Sequence, residues 1–399
     1  MISVGIDVSK EKSMVCILQA GKGNITRPFE IKHTEGDLSA LAEKLRQLND
    51  EVKIILEATG VYHLPVLTYL KDAGFFVAVV NPLEMKHYRS IGLRRAKTDR
   101  LDSRAIADYG VSYWHSLQDY EPTEVAYEEL RLLSRQYRHY MRIHVESLLG
   151  LTHLLDYTMP GIKSMMNSWT ESNGKDKLAD FVDEYWHYDN ITKMTEDEFS
   201  DSYLKWAEEK GYQLNRNKAA TIYSMAQEGI PTIPANQTTE MLMHQAVEVL
   251  KGVDKTLTAI IARMREIAKT LPEYPVVRAM GGVGETLAPR LIADIGDVRR
   301  FHSGKALVAY AGIDAPPYES GIFIGTNRKI TKRGSAAIRK TGYEVMRSLK
   351  SHKEPEDNAV YQFILKKEAE GKPKKVAKIA GLNKFLRIYY ARVMEVRST

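Results

Sequence analysis

The stretch Lys97-Thr-Asp99-Arg-Leu-Asp102-Ser-Arg-Ala-Ile-Ala-Asp-Tyr109 sets two carboxylates three residues apart at the start of a helical pattern. Thr98 can cap that helix, so Asp99 and Asp102 leave one face of its first turn. Two negative charges that close repel unless something positive lies between them. The helix dipole accounts for one aspartate better than for two. A divalent metal ligated by oxygen accounts for both. Two more acids, Asp7 in Val-Gly-Ile-Asp-Val-Ser and Glu57 in Ile-Ile-Leu-Glu-Ala-Thr-Gly, each end a short apolar run. Four carboxylates can hold two magnesium ions roughly 4 Å apart, clamping the attacking and leaving oxygens at a phosphorus. Lys86, Arg89, Arg94, Arg95, Lys97, Arg100 and Arg104 are nearby in the chain, so a phosphodiester suits the charge there.

The elements that must carry these acids follow from periodicity. Residues 2–7, 14–18 and 27–31 read as three short strands. Leucines at helical spacing predict a helix over 36–48, followed by a strand over 53–57, a helix over 64–72 and a strand over 75–80. Three strands and then alternating helix and strand fit an α/β domain with a mixed sheet, in the ribonuclease H-like order, over about 1–120. Ligands gather at strand ends in such sheets, so one site could collect all four acids.

Beyond it, 122–155 reads as a long helix with Leu130, Leu133, Tyr137, Tyr140, Leu151 and Leu154 on a heptad seam. Arg131, Arg135, Arg138 and Arg142 form a stripe on another face, either a phosphate-backbone track or a solvated flank with Glu partners. Residues 171–210 hold twelve Asp+Glu and five Lys+Arg with Trp186, Tyr185 and Tyr188, a folded acidic insertion with no chemistry assigned. Residues 229–237 read as a linker. Leu250, Val253, Leu257, Ile260, Met264, Ile267 and Leu271 step by three and four, a second seam that pairs with the first within one chain or with another protomer. The coiled-coil region is thus 121–271, and 272–399 is a mainly helical C-terminal domain. There, Gly281-Gly282-Val283-Gly284 between two short helices resembles a helix-hairpin-helix, whose glycines let backbone N–H groups approach phosphate. An ordinary interhelical turn is the competing reading. Ser320, between prolines and Gly321, precedes Arg328, Lys329, Lys332 and Arg333 and a helix over 335–349. Those cations and that helix N-terminus could stabilise charge on a phosphorus attacked by the serine, although most loop serines only form turns.

Composition narrows the classes. With 399 residues, 44% of them hydrophobic, two or three ordinary cores are expected. Cys16 is the one cysteine, so an internal disulfide and a cysteine zinc site are excluded. No signal peptide and no membrane span are expected, which points to a cytoplasmic protein. From residue 321 to 399 there are 19 Lys+Arg against 7 Asp+Glu, a charge of +12, whereas the remainder holds 38 against 44, a charge of −6. A basic end beside an acid-rich body suits a polyanion.

These motifs, taken in order, resemble the DEDD transposases of insertion sequences, the bridge-RNA-guided recombinases of the IS one-ten family. The resemblance rests on Gly5-Ile-Asp7-Val-Ser-Lys, Glu57-Ala-Thr-Gly, Lys97-Thr-Asp99-Arg-Leu-Asp102, Gly282-Val-Gly, Ile295-Gly-Asp-Val-Arg-Arg-Phe301, Tyr310-Ala-Gly-Ile, Ser320-Gly321 and Ile330-Thr-Lys-Arg-Gly-Ser335. It implies a RuvC-like domain with Asp7, Glu57, Asp99 and Asp102 as its acids, Mg²⁺ as cofactor, and Ser320 as the nucleophile of a C-terminal transposase domain. It further implies donor and target DNA, a structured bridge RNA and a dimer or tetramer in which the acids of one protomer meet the serine of another. In a prokaryotic cytoplasm such a protein would lie on the nucleoid when bound to DNA. Asp314-Ala-Pro-Pro and the acidic insertion depart from the family pattern. The main rival is a metal-dependent nuclease of the same fold with no serine nucleophile. A sugar kinase is disfavoured because no second phosphate loop appears between Leu130 and Arg278. A non-enzymatic RNA scaffold would tolerate Asp7→Ala.

Overall fold

The structure is a computed structural model that describes residues 1–58, 60–90, 98–121, 124–166, 169, 174–316, 319–320, 323–324, 329–352 and 358–398, with backbone alone at 319–320 and 323–324. The chain divides into two compact units, Met1–Pro122 and Thr123–Thr399.

In the first unit the chain runs β1 (Ile2–Val8), β2 (Lys12–Gln19), β3 (Gly23–Asn24), β4 (Phe29–Lys32), α1 (Glu35–Arg46), β5 (Val52–Glu57), α2 (Leu64–Asp72), β6 (Phe76–Val80), α3 (Pro82–Ser90) and α4 (Asp99–Ser112). The six strands form one mixed sheet in the order β3-β2-β1-β5-β6, with β4 paired to β2. β1 is antiparallel to β2 and parallel to β5, and β5 is parallel to β6. Apolar side chains on both faces of β1 make it the central strand, as its near-continuous hydrophobic run requires. Leu38, Leu41, Ala42 and Leu45 bury one stripe of α1.

α4 lies unusually close to the sheet. A Cβ on Gly5 would collide with the Ala107 amide and the Ser103 carbonyl, and a Cβ on Gly110 would collide with Ser3 and Ile55. The buried Ser3 hydroxyl donates to the Ala107 carbonyl at 2.7 Å. Two glycines and a small serine therefore let helix backbone rest on strand backbone, fixing where α4 begins relative to the end of β1.

The second unit is mostly helical: α5 (Val125–Thr158), α6 (Lys177–Glu184), α7 (Tyr188–Thr192), α8 (Glu196–Glu209), α9 (Arg216–Glu228), α10 (Gln237–Lys269), α11 (Tyr274–Arg278), α12 (Leu287–Ile295), α13 (Gly304–Ala311), the hairpin β7 (Glu319–Ser320) and β8 (Phe323–Ile324), α14 (Ala336–Ser351), α15 (Ala359–Ala369) and α16 (Lys374–Arg397). α5 and α10 pack on each other within one chain. The pairs Glu129–Arg263, His144–Asp254 and Thr158–Met243 show that they run antiparallel. Their residues interleave two cores. Leu130, Tyr137, Leu257 and Met264 join α11–α16, while Leu151, Leu155, Met243 and Leu250 join α6–α9. The expected boundary near residue 271 falls inside the first of these continuous cores. Along α10 the expected seam is buried except at Ile260, where Ile261 faces inward instead.

The acidic segment folds as a helical cluster around Phe181, Tyr185, Phe199, Tyr203 and Trp206. Asp180, Asp189, Glu196, Asp197 and Glu198 lie in helix first turns, and Asp176 and the Thr195–Glu198 capping box satisfy orphan N–H groups there. The expected linker over 229–237 is tied down. Thr232 N–H donates to the Tyr157 carbonyl at 2.9 Å, and His187 Nε2 lies 3.0 Å from the Ile233 carbonyl. Among the described residues no helix is long and apolar enough to cross a membrane.

Candidate active site

β1 and β5 lie side by side with Ile6 opposite Leu56, so Asp7 and Glu57 end adjacent parallel strands on the same edge of the sheet. Thr98 caps α4 by accepting from the Leu101 N–H at 3.3 Å, which starts the helix at Asp99 and puts Asp102 in its first turn. The close packing of α4 then carries that turn to the ends of the two strands.

The carboxylates meet at Arg89. Its Nη2 is 2.7 Å from Glu57 Oε2, and its Nε is 3.3 Å from Asp102 Oδ1. Both carboxylates are only 13% exposed, so this is not a surface ion pair of little consequence. The Asp7 carboxyl is pushed up to about 6, first by burial and then by the negative charge of Asp102. Asp99 and Glu57 add to the rise and Arg89 opposes it. Asp99 itself is exposed. The charges of Asp102, Asp99 and Glu57 thus all reach Asp7, and Arg89 does not offset them.

Arg89 comes from α3, a helix that follows the strand expected over 75–80 and that hydrophobic periodicity does not announce. The signal was present in Asn81-Pro82. Asn81 Oδ1 accepts the Leu83 N–H at 2.9 Å, and proline is the favoured first helical residue. Tyr88 packs edge-on to Tyr109 with ring centroids 5.3 Å apart and hydrogen-bonds with Ser112 at 3.0 Å, which anchors α3 on α4 and aims Arg89 at the acids.

Carboxylate oxygens are the donor chemistry that Mg²⁺ prefers. Among the described residues, however, no three His, Cys, Asp or Glu stand together as a ready ligand set. The Arg89 guanidinium lies between Glu57 and Asp102 instead, as a positive group at a position where a cation is wanted. Arg100 is exposed on the first turn of α4. Arg94, Arg95 and Lys97 lie outside the described residues.

In the second unit, β7 and β8 form a two-stranded antiparallel hairpin with Ser320 opposite Phe323. The side chain of Ser320, together with Arg328, lies outside the described atoms. What is described is the base of the hairpin. Thr331 N–H donates to the Asp314 carbonyl and Lys332 N–H to the Gly312 carbonyl, each at 3.0 Å, and Ser335 N–H donates to the Tyr310 carbonyl at 2.7 Å. The Thr331 hydroxyl donates to Asp314 Oδ1 at 2.6 Å. The motifs Tyr310-Ala-Gly-Ile and Ile330-Thr-Lys-Arg-Gly-Ser335 are therefore two loops that dock on each other and bracket the serine. Gly334 is required there, because a Cβ would collide with the Tyr310 carbonyl. Lys332 adopts a positive φ of 54°, uncommon for a residue with a side chain. Lys329, Lys332 and Arg333 are exposed beside the hairpin. The N-terminus of α14 is partly spent on its own cap, since Ser335 Oγ accepts the Ile338 N–H at 3.2 Å.

The expected arginine stripe on α5 separates into different roles. Arg138 donates to Asp294 at 2.7 Å, and that buried carboxylate also accepts from Ser134 and Thr341, so Asp294 ties α12 to α5 and α14 and Arg138 is spent on it. Arg131 is half-buried near Gly296, while Arg135 and Arg142 are exposed. Gly282 has φ +78°, and a Cβ there would come within 2.7 Å of the Val345 carbonyl, so packing against α14 explains this glycine. Gly284 faces open space.

Residues 4–160 match the DEDD_Tnp_IS110 family model, described as Transposase, and residues 274–362 match the model for Transposase IS116/IS110/IS902 family. The chain is 22% identical over 339 residues to the "Insertion element IS110 uncharacterized 43.6 kDa protein" of Streptomyces coelicolor, covering 83% of this chain and 82% of that one. It is 23% identical over 399 residues to the "Pilin gene-inverting protein" of Moraxella bovis, covering 99% and 96% of the two chains. A solved structure titled "Thermus thermophilus RuvC structure" aligns with 30% of this chain and 100% of its own at 16% identity and a TM-score of 0.25.

Proposed function

From the premise that the chain belongs to the IS110 family of transposases, we propose that it recombines DNA through a covalent phosphoserine intermediate, dependent on Mg²⁺ and guided by a structured RNA. In this reading Ser320 Oγ attacks a phosphorus of the DNA backbone. A P–Oγ bond forms as the bond from phosphorus to one deoxyribose oxygen breaks, and that oxygen takes up a proton. The phosphoserine keeps the energy of the phosphodiester, so rejoining to another strand needs no ATP. Asp7, Glu57, Asp99 and Asp102 would hold Mg²⁺, which would neutralise the phosphate and favour attack. Lys329, Lys332 and Arg333 beside the hairpin would bind the DNA backbone, as would Arg135 and Arg142 on α5. RNA pairing would choose the sites, leaving the protein to read shape and backbone. The active form would be a dimer or tetramer in which acids and serine of different protomers meet.

The observation that carries the reading is the gathering of Asp7, Glu57 and Asp102 around Arg89 in a chain whose second family motif brackets a serine. The test is a covalent trap. Purified protein, RNA and labelled DNA are incubated with magnesium and run on a denaturing gel. A protein–DNA adduct lost in both Ser320→Ala and Asp102→Ala is expected. Cleaved DNA with no adduct, unaffected by Ser320→Ala, would replace the reading with a hydrolytic nuclease.

A further inference from the structure

A cleft of about 820 Å³ opens beside the feet of the serine hairpin, within the size range of ligand sites, about 300–1,000 Å³. Pro316, just before the hairpin, and Ile330, just after it, both line this cleft. Ser320 follows Pro316 by four residues, so it lies within about 14 Å along the chain. Its apolar side includes the buried Val308 and Ile313. Phe363 of α15 adds an aromatic ring, with the Lys384 ammonium 5.2 Å from its centroid.

The rim is cationic. Lys305 comes from α13, and Lys384 and Arg387 come from α16. A Cβ on Gly304 would lie 3.3 Å from the Arg387 Cα, so the two helices touch there and hold Lys305 and Arg387 on the same rim. Among the described residues the one acid in the lining is Asp314, whose carboxylate accepts from Thr331. Among the described lining residues, three cations stand against that one acid, a balance of +2. Apolar floor, aromatic ring and cationic rim together match the chemistry of a nucleotide, with the base inside and its phosphate at the edge.

We propose that this cleft holds one unpaired nucleotide of the DNA strand beside the phosphodiester that Ser320 attacks. Its place in the reaction rests on the serine reading, whereas its preference for single-stranded DNA does not. Asp314 can accept from the exocyclic amine of a base, and Asn383, also in the lining, can donate or accept.

Binding of the full-length protein to a labelled single-stranded DNA, its duplex and the RNA of the same sequence tests this by fluorescence anisotropy. Phe363→Ala should weaken binding to the single strand about tenfold, the effect of one lost base–aromatic stack, and leave the duplex unchanged. Lys384→Gln, a rim substitution that removes no core side chain, should lower the salt slope on the single strand by about 0.7. Equal losses on both DNAs, no loss, or a loss confined to RNA would overturn the proposal. Strand-selective binding without a serine adduct would support the cleft and remove the phosphoserine reading. An adduct without strand selectivity would do the reverse.

Discussion

The two halves of the candidate chemistry are built differently. The acids stand on adjacent strand ends and on a helix pressed against the sheet through Gly5 and Gly110. The serine stands on a hairpin of two-residue strands, held at its base by backbone hydrogen bonds between two loops. Carboxylates that must share a cation need fixed spacing, and core packing provides it. A nucleophile needs access to a large substrate, and a docked loop pair gives that at little cost to the core. Damage to the first half should therefore cost stability and chemistry together, and damage to the second should cost chemistry alone.

The largest contrast should come from Ser320→Ala. Adduct formation should fall by about a thousandfold or more, while stability in urea shifts by no more than about 0.5 kcal/mol. A large loss of stability would mean that the hairpin supports the fold. Next, Asp294→Ala should cost about 3–5 kcal/mol, because it strands Arg138, Ser134 and Thr341 in a buried setting. A near-neutral result would return Arg138 to the nucleic-acid stripe. Gly5→Ala should cost about 1–3 kcal/mol and displace α4, seen as a lower melting temperature with weaker magnesium binding. Melting that falls while magnesium binding holds would separate packing from the site. Arg89→Gln should lower the magnesium concentration needed for thermal stabilisation by several-fold, since the guanidinium no longer competes for Glu57 and Asp102. Weaker magnesium binding in that variant would make Arg89 a support of the metal site. Smallest of all, Arg135→Gln should reduce the salt slope of duplex binding by about 0.9.

Much of the first unit was legible because its periodicities are clean. The helix over 64–72 is found with those bounds, and the strands at 2–7 and 53–57 differ by one residue at an end. The positions of Asp7 and Glu57 near strand ends, and of Asp99 and Asp102 in a capped first turn, were legible because strand ends and an N-cap are local signals. Arg89 was visible only as a nearby cation, because its role depends on how α3 packs on α4. The Arg138–Asp294 pair spans 156 residues of sequence, and no local pattern distinguishes it from Arg135. Gly282 satisfied a motif by spacing, yet its packing partner lies on a helix more than sixty residues later. Side chains joined by long loops escape periodicity arguments, and these are the ones that the tertiary structure supplied.

The most direct test of the account is to locate the covalent bond. A trapped protein–DNA adduct would be trimmed with nuclease and protease and its peptides weighed. The account expects a residual nucleotide on the peptide containing Ser320, absent without magnesium and absent in Asp102→Asn. A nucleotide on another residue, or cleaved DNA with Ser320 unmodified, would contradict it.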